Sequence, residues 1–457
     1  MGGLRNSMRS THETYHIFSY YGLFGRPILV IRNLELMRKI LIKDFDHFTD
    51  RNMNQDNISP EANKHFSNAM TVLRGDKWRS AREMVSPTFT TGQIKASMVH
   101  IQDSAQELIK YLSTIDLKNV EVKALLNLYT CETLGRVGCG ILPQVFTQPE
   151  NNEFYRQVTI MLGGGKPNLM TMVRFLSFGI PKVAKWFKIA LIDPSAMNFV
   201  DNIIRTSMRT RGPGDKQRHD FIEMMVESIK SFETGKKGQS FTKAEIEDIV
   251  ISNAILLFFA GNDTTAAAIT TVLYFMAMNP DVQDKLYEEI NETIFDNDGS
   301  LELNHDQLFA MKFMGKVIKE SLRFWSFNFM DRVCVKDYYL DKYSLVIPKG
   351  MIVQNSIDAI YQDPVFFANP EAFDPEGHFE DDNLFSPTFF AFGQGPRSCL
   401  GMRFALTMFR IALVHILYHY KIVPNEDTTK DFSKRNPLDS SILPHGGIKA
   451  TFIKRKN

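Results

Sequence analysis

The chain has 457 residues, 44 % of them hydrophobic, which is enough to bury a large core. Its 53 Lys and Arg face 52 Asp and Glu, and a net charge of +1 excludes whole-chain attraction to nucleic acid or to acidic partners. The four cysteines, Cys131, Cys139, Cys334 and Cys399, are too few and too scattered for a disulfide framework or a CxxC zinc site, which points to a reducing, intracellular setting.

The N-terminal stretch MGGLRNSMRSTHETYHIFSYYG is polar and has no continuous apolar segment, so neither a signal peptide nor an anchor is expected in it. Residues 19–50 open with the β-like run PILVI and continue into an amphipathic helix. Helical patterns dominate from about 76 to 330, with RGPGDKQ at 211–217 and TGKKGQS at 234–240 as connecting loops. Residues 332–358 return to short β-like pieces around the turn Pro348-Lys349-Gly350. A Pro-rich irregular stretch follows at 361–379, then a long apolar helix after Cys399, then short C-terminal strands. There are no repeats. The expectation is a mainly α chain forming a single domain over 1–457, with small sheets near both ends and a β-rich lobe drawn from about 20–60 and 332–358.

The longest helix is bounded by its own chemistry. Thr242-Lys-Ala-Glu245 is a capping box and Asn279-Pro280 is a stop, leaving residues 243–278 between them. That is about 54 Å of helix at 1.5 Å per residue. It is apolar around much of its circumference, so it should cross a protein interior. Asn253, Asn262, Asp263 and several threonines argue against a membrane span, since a central Asp alone costs ~2.5–3.5 kcal/mol on insertion. Within it, AGNDTT (260–265) strings together poor helix formers, and the i→i−4 ladder is expected to loosen there. Either this is a tolerated kink, or an acid and an alcohol face a small ligand at an opening.

Cys399 sits in the stretch Phe392-Gly-Gln-Gly-Pro-Arg397-Ser-Cys399-Leu-Gly401. Gly393 and Gly395 permit a tight turn, and the N-terminus of the following helix favours a thiolate. Such a sulfur is a soft anionic ligand, although a lone cysteine is also commonly a small core residue.

FxxGxRxCxG resembles the haem-binding signature of the cytochrome P-450 superfamily at every defined position. Three further motifs agree in order: Trp78-xxx-Arg82, AGNDTT, and Glu320-Ser-Leu-Arg323. WRSAREMVSPTFTTG, MDRVCVKDYYL and GPRSCLGMRFAL look most like the animal microsomal group that holds the family 3 drug oxidisers and thromboxane synthase. The resemblance implies a cytochrome P-450 fold and haem b held by the proximal thiolate of Cys399, with Phe392 shielding the sulfur and Gly401 admitting the porphyrin. It implies that Trp78, Arg82, Arg332 and Arg397 hold the propionates and that Asp263 and Thr264 manage protons. Leu256, Phe259 and Ala260 share a side with Thr264 by helical spacing and would face substrate. The loop after ExxR, with Phe327 and Phe329, would line the same pocket. Glu320 and Arg323 would be structural.

The implied activity is a monooxygenase that inserts one atom of O₂ into a lipophilic molecule, with NADPH-derived electrons from cytochrome P-450 reductase and cytochrome b5 as a further partner. Arg74, Lys77, Arg79, Lys95, Arg403 and Arg410 would form the docking patch. The rivals are an isomerase that rearranges peroxides and a haem-binding protein without turnover. The implied location is the cytoplasmic face of the endoplasmic reticulum, although the anchor and Pro-rich hinge expected upstream are absent from this sequence. Residues 169–192 interleave aromatic groups with cations and would touch the membrane surface. The sequence departs from the family where PERF is replaced by Pro375-Glu-Gly-His378-Phe379, where Ser326 stands in place of a Pro, and in a shorter loop before Arg332. His378 is expected to take over the hydrogen bonds of the missing guanidinium, though not its permanent charge.

Overall fold

The structure is a computed structural model that describes residues 17–22, 25–53, 58–163, 173, 185–210, 220–234, 242–325, 329–383, 386–432, 443–444 and 446–456. Strands β1 (Ile17–Tyr21) and β2 (Pro27–Ile31) form an antiparallel hairpin. The PILVI run becomes β2, and the next apolar residues turn helical. Asn33 caps α1 (Leu34–Arg38) through the Leu36 N–H, and the helix runs into a π-turn over Lys39–Lys43. Leu36, Met37, Ile40 and Leu41 face the core.

The helical body comprises α2 (Lys64–Ser67), α3 (Gly75–Val85), α4 (Thr91–Leu112), α5 (Val122–Cys139), α6 (Glu153–Met161), α7 (Pro194–Arg209) and α8 (Phe221–Thr234). It continues through α9 (Lys243–Met278), α10 (Pro280–Phe295), α11 (His305–Ala310) and α12 (Lys312–Phe324). Strand β3 (Val120–Glu121) interrupts it. The remainder is β4 (Phe329–Val333), β5 (Tyr338–Leu340), β6 (Leu345–Ile347), β7 (Ile352–Ser356), α13 (Ile357–Tyr361), α14 (Met402–His419), β8 (Tyr420–Val423) and β9 (Lys449–Lys454). The main sheet has the order β1-β2-β7-β4, which joins the two β-like regions read near 20–60 and 332–358. The C-terminal sheet runs β3-β9-β8, and β5 and β6 form a separate hairpin. The fold is mainly α with small sheets, as the sequence indicates. The expected loops at 211–217 and 234–240 lie outside the described residues, apart from Thr234 at the end of α8.

Helix α9 has the predicted bounds, and both halves of its capping box form. No helix among the described residues is long and apolar enough to cross a membrane. The expected loosening at AGNDTT does not occur, because the helix is unbroken from Lys243 to Met278. Packing and local side-chain bonds override propensity here. Asn262 is locked to Thr130 of α5 at 2.8 Å, and Thr264, Thr270 and Thr271 each donate to the carbonyl four residues earlier. Gly138 and Gly261 let α5 and α9 approach closely, since a Cβ on Gly138 would lie 3.2 Å from Leu257.

Candidate active site

The cysteine turn is built by glycine stereochemistry. Gly393 (φ 72°) and Gly395 (φ 75°) are both left-handed. A Cβ on Gly395 would stand 2.0 Å from the Leu41 carbonyl oxygen, so only glycine lets the turn press against the π-turn. The Gly393 N–H donates to Phe390 O at 2.8 Å, the Ser398 N–H to Gly395 O at 2.9 Å and the Cys399 N–H to Phe392 O at 2.8 Å. From α13, the Tyr361 hydroxyl accepts the Phe390 N–H at 2.7 Å and fixes the start of the turn. Phe392 is half-buried and its ring lies 6.3 Å from that of Phe389.

Cys399 has an exposed surface, whereas Cys131, Cys139 and Cys334 are buried. Burial nevertheless pushes the Cys399 thiol upward, against the smaller opposing effects of the Gly401 N–H and of Arg82 and Arg51. The result corrects the expectation that the helix N-terminus alone favours the thiolate. Desolvation outweighs it, and a bound cation is what would deprotonate this sulfur outright. At Gly401 the φ is an ordinary −83° and the nearest obstacle to a Cβ is Phe89 at 3.6 Å. No protein atom demands glycine there.

Behind the turn, arginines converge. Arg397 donates to the carbonyls of Thr49 (2.9 Å), Met70 (3.1 Å) and Leu73 (2.8 Å), and its guanidinium lies 4.0 Å over the Trp78 ring. Burial, followed by Arg51, Arg332 and Arg82 with Asp50 opposing, pushes it down to about 8. Arg332 is pushed down to about 10, chiefly by burial and then by Arg51. Its NH1 reaches Asp331 O at 2.7 Å, but its buried Nε has no protein acceptor. Arg82 donates to Ser398 O at 3.0 Å, and burial lowers its pKa as well. Arg51 completes the group and was missed in the sequence, where nothing in FTDRN separates it from a surface charge. It is likewise lowered by burial and donates to Arg397 O at 3.3 Å. Of the acids beside the group, Asp50 is engaged with Arg74, the Gly75 N–H and Thr49, while Asp331, which accepts the Asn52 N–H, opposes the lowering of Arg51 and Arg332. Two buried guanidiniums, Arg332 and Arg397, with the half-buried Arg51 and Arg82 beside them, fit a ligand that brings two carboxylates, which is what haem b presents.

On α9, Ala260 is exposed although it lies mid-way along an interior helix, Phe259 and Thr264 are partly open, and Leu256 is buried. Phe259 meets Phe66 of α2 edge-on at 6.0 Å. The Thr264 hydroxyl donates to Ala260 O at 2.6 Å. Asp263 pairs with Lys123 of α5 at 2.6 Å, a partner that sequence spacing did not indicate. Phe327 lies outside the described residues, and Phe329 begins β4, paired with Ser356.

Glu320 and Arg323 are fully buried and saturated. Arg323 holds Glu320 at 2.8 and 3.0 Å and donates to the carbonyls of Tyr361, Pro370 and Ala372. Glu320 also accepts from the Asp374 N–H and from His378 at 2.9 Å. The other ring nitrogen of His378 meets Ala368 O. The imidazole therefore does stand where the guanidinium was missing.

The basic patch needs correction. Arg410 is buried, donates to Leu308 O (2.7 Å) and Met311 O (3.0 Å) and covers the Phe309 ring, so it cannot meet a partner. Arg74 pairs with Asp50, Lys95 with Asp306 and Arg79 with Asp46. Lys77 and Arg403 are exposed.

The sequence model of the family "Cytochrome P450" matches residues 2–452. Cytochrome P450 9e2 of Blattella germanica is 31 % identical over 455 residues, covering 91 % of this chain and 83 % of that protein. Cytochrome P450 6B2 of Helicoverpa armigera is 28 % identical, with coverage of 97 % and 88 %, and a probable cytochrome P450 6d4 of Drosophila melanogaster is 26 % identical, with 96 % and 86 %.

Proposed function

We propose a substrate class and an electron source for this chain, which belongs to the cytochrome P450 family and is a haem-thiolate monooxygenase. The substrate is a lipophilic small molecule (a xenobiotic, steroid or fatty acid), and the electrons come from NADPH through cytochrome P-450 reductase. The observation that carries this reading is an exposed cysteine in a glycine turn, with Arg82 and Arg51 near its sulfur and the buried Arg332 and Arg397 beside them.

Haem, when bound, supplies the one-electron and O–O bond chemistry. In the proposed arrangement Cys399 Sγ would hold its iron. The Gly401 N–H steadies the negative sulfur, Phe392 keeps water from it, and Gly401 leaves room for the ring. Arg51, Arg82, Arg332, Arg397 and Trp78 orient the propionates. On the other face, Leu256, Phe259 and Ala260 exclude water and hold an apolar substrate, and the loop through Phe327 and Phe329 completes the wall. Because the Thr264 hydroxyl proton is engaged with Ala260 O, its lone pairs are free to accept from a site water. Asp263 is the acid from which that water is replenished. The reductase docks where Lys77, Arg79 and Arg403 are exposed, beside a groove lined by Lys43, Trp78, Arg82 and Pro396. Cytochrome b5 competes for the same face, and the enzyme works at the cytoplasmic surface of the endoplasmic reticulum.

Two measurements test the reading. The Cys399→Ser protein should lose the red-shifted Soret band of the reduced CO complex, and retention of that band would refute the ligand assignment. Purified reductase should drive substrate-dependent NADPH consumption by the wild type. Haem binding without such consumption would favour an isomerase or a carrier.

A further inference from the structure

We propose that Asn253 of α9 is a positioning residue for Arg397: by holding the Met70 backbone it fixes the carbonyls that aim the guanidinium at the haem propionates. The inference rests on the reading of Arg397 as a propionate-holding residue.

The aim of Arg397 is set by three carbonyls. Its Nε donates to Thr49 O at 2.9 Å, and its two terminal nitrogens donate to Met70 O at 3.1 Å and Leu73 O at 2.8 Å. The Trp78 ring covers one face of the group. A guanidinium has five N–H donors, and these bonds leave one on each terminal nitrogen for a carboxylate. The fork is planar and rigid, so the positions of the three carbonyls decide where those two donors point.

Two of the three carbonyls belong to one turn. Ala69 O accepts the Val72 N–H at 3.0 Å and the Leu73 N–H at 3.2 Å, which ties Met70 O and Leu73 O together. Met70 and Thr71 are only partly buried, so this turn depends on an outside anchor. The anchor comes from α9, where Asn253 Oδ1 accepts the Met70 N–H at 2.9 Å. Met70 is thereby held at both of its backbone groups, the N–H by α9 and the carbonyl by Arg397.

Asn253 is otherwise out of place. It interrupts the apolar run IVISNAILL and is 4 % exposed, a position where an amide is costly unless both of its ends are bonded. Its own helix satisfies only one end, through Nδ2 to Ile249 O at 2.7 Å. The partners fix the orientation of the amide, because a backbone N–H can only donate and a carbonyl can only accept. Leu256 and Ala260 follow three and seven residues later and share the face of Asn253. One helix face therefore sets both the wall of the pocket and the aim of the arginine.

The test loads each variant with haem and follows two readouts, transfer to an apo-globin scavenger and the propionate bending band of the resonance Raman spectrum. Asn253→Leu keeps the shape of the side chain but removes the acceptor of the Met70 N–H. Asn253→Ala removes it without bulk, should the leucine variant fail to fold. Either should release haem several-fold faster and move the propionate band, while the red-shifted Soret band of the reduced CO complex stays. Thr270→Val is the control for losing a buried bond on the same helix, since Thr270 donates to Ala266 O at 2.7 Å outside this chain of contacts. Both of its readouts should match the wild type. Arg397→Lys should itself speed release and move the band, and Asn253→Ala should add little in that background. Wild-type readouts in the Asn253 variants, an equal change in Thr270→Val, full additivity with Arg397→Lys or loss of the Soret band would each overturn the inference. Wild-type readouts in Arg397→Lys are a different failure, because they withdraw the propionate reading on which the inference rests.

Discussion

His378 makes the tether beneath the cysteine turn sensitive to pH. Its two ring nitrogens face Glu320 Oε1 at 2.9 Å and Ala368 O, both of which can only accept, so the geometry calls for the doubly protonated imidazolium. The side chain is 2 % exposed and Glu320 fully buried. The hydrogen bond to Glu320 raises the His378 pKa above its ordinary value of 6.5, outweighing desolvation, with the Ala368 carbonyl adding to the rise and Arg323 the opposing charge. The remaining groups packed around it are neutral or already engaged: the Phe367 ring stands edge-on, and Asp374 accepts from the Gly377 N–H. A raised folded pKa gives stability that is complete below the unfolded value and is lost as pH climbs through the folded one. His378→Ala removes one charge-assisted bond and one ordinary one while Arg323 still holds Glu320, so about 2–4 kcal/mol is expected. The assay is urea unfolding of the haem-loaded protein, followed at the Soret band at about pH 6 and about pH 9. The His378→Ala deficit should be largest at the acid condition and shrink at the alkaline one. An equal deficit at both would show that the ring acts by packing alone.

Other perturbations reach the site more directly. Thr264→Ala should keep haem and still consume NADPH, with less product and more peroxide per NADPH; unchanged coupling would take Thr264 out of proton handling. Arg51→Ala removes one cation from a crowded group, so the haem-free protein should be no less stable while haem passes faster to an apo-globin scavenger, the lost charge-assisted bond being about 1.5–3 kcal/mol. Retention equal to the wild type would detach Arg51 from the propionates. Trp186 and Phe187 are 79 % and 63 % exposed beside Lys185 and Lys188, although residues 169–172 and 174–184 of that stretch lie outside the described residues. Weak binding to anionic liposomes that falls with salt should disappear in the Trp186→Ser/Phe187→Ser protein, and no flotation by the wild type at low salt would remove the membrane contact.

What the sequence made legible is what local chemistry decides. Gly393 and Gly395 specify left-handed turns through their own backbones, so the cysteine turn could be placed before any contact was known. The limits of α9 follow from Thr242, Glu245 and Pro280, each acting within one turn of the helix end. AGNDTT was misread for the converse reason. Propensity is worth tenths of a kcal/mol per residue, and the contact with α5 together with the Asn262–Thr130 bond outweighs it.

Charged residues are the harder case, because a guanidinium carries no mark of the direction it faces. Arg410 and Arg51 both look like surface charge in one dimension. Arg410 lies on the apolar helix α14, where only the carbonyls at the end of α11 and before α12 make its burial tolerable. Arg51 follows a buried acid, Asp50, that pairs with Arg74, and the acid that acts on Arg51 is Asp331. The distinction between these two arginines has physical content. Arg410 gives one guanidinium nitrogen to two protein carbonyls, whereas Arg51 lies among Arg82, Arg332 and Arg397. Nature of the neighbours, more than depth of burial, distinguishes the two. Only tertiary contacts reveal the neighbours, and that is why the arginine cluster could be named in part from motifs but completed only by the fold.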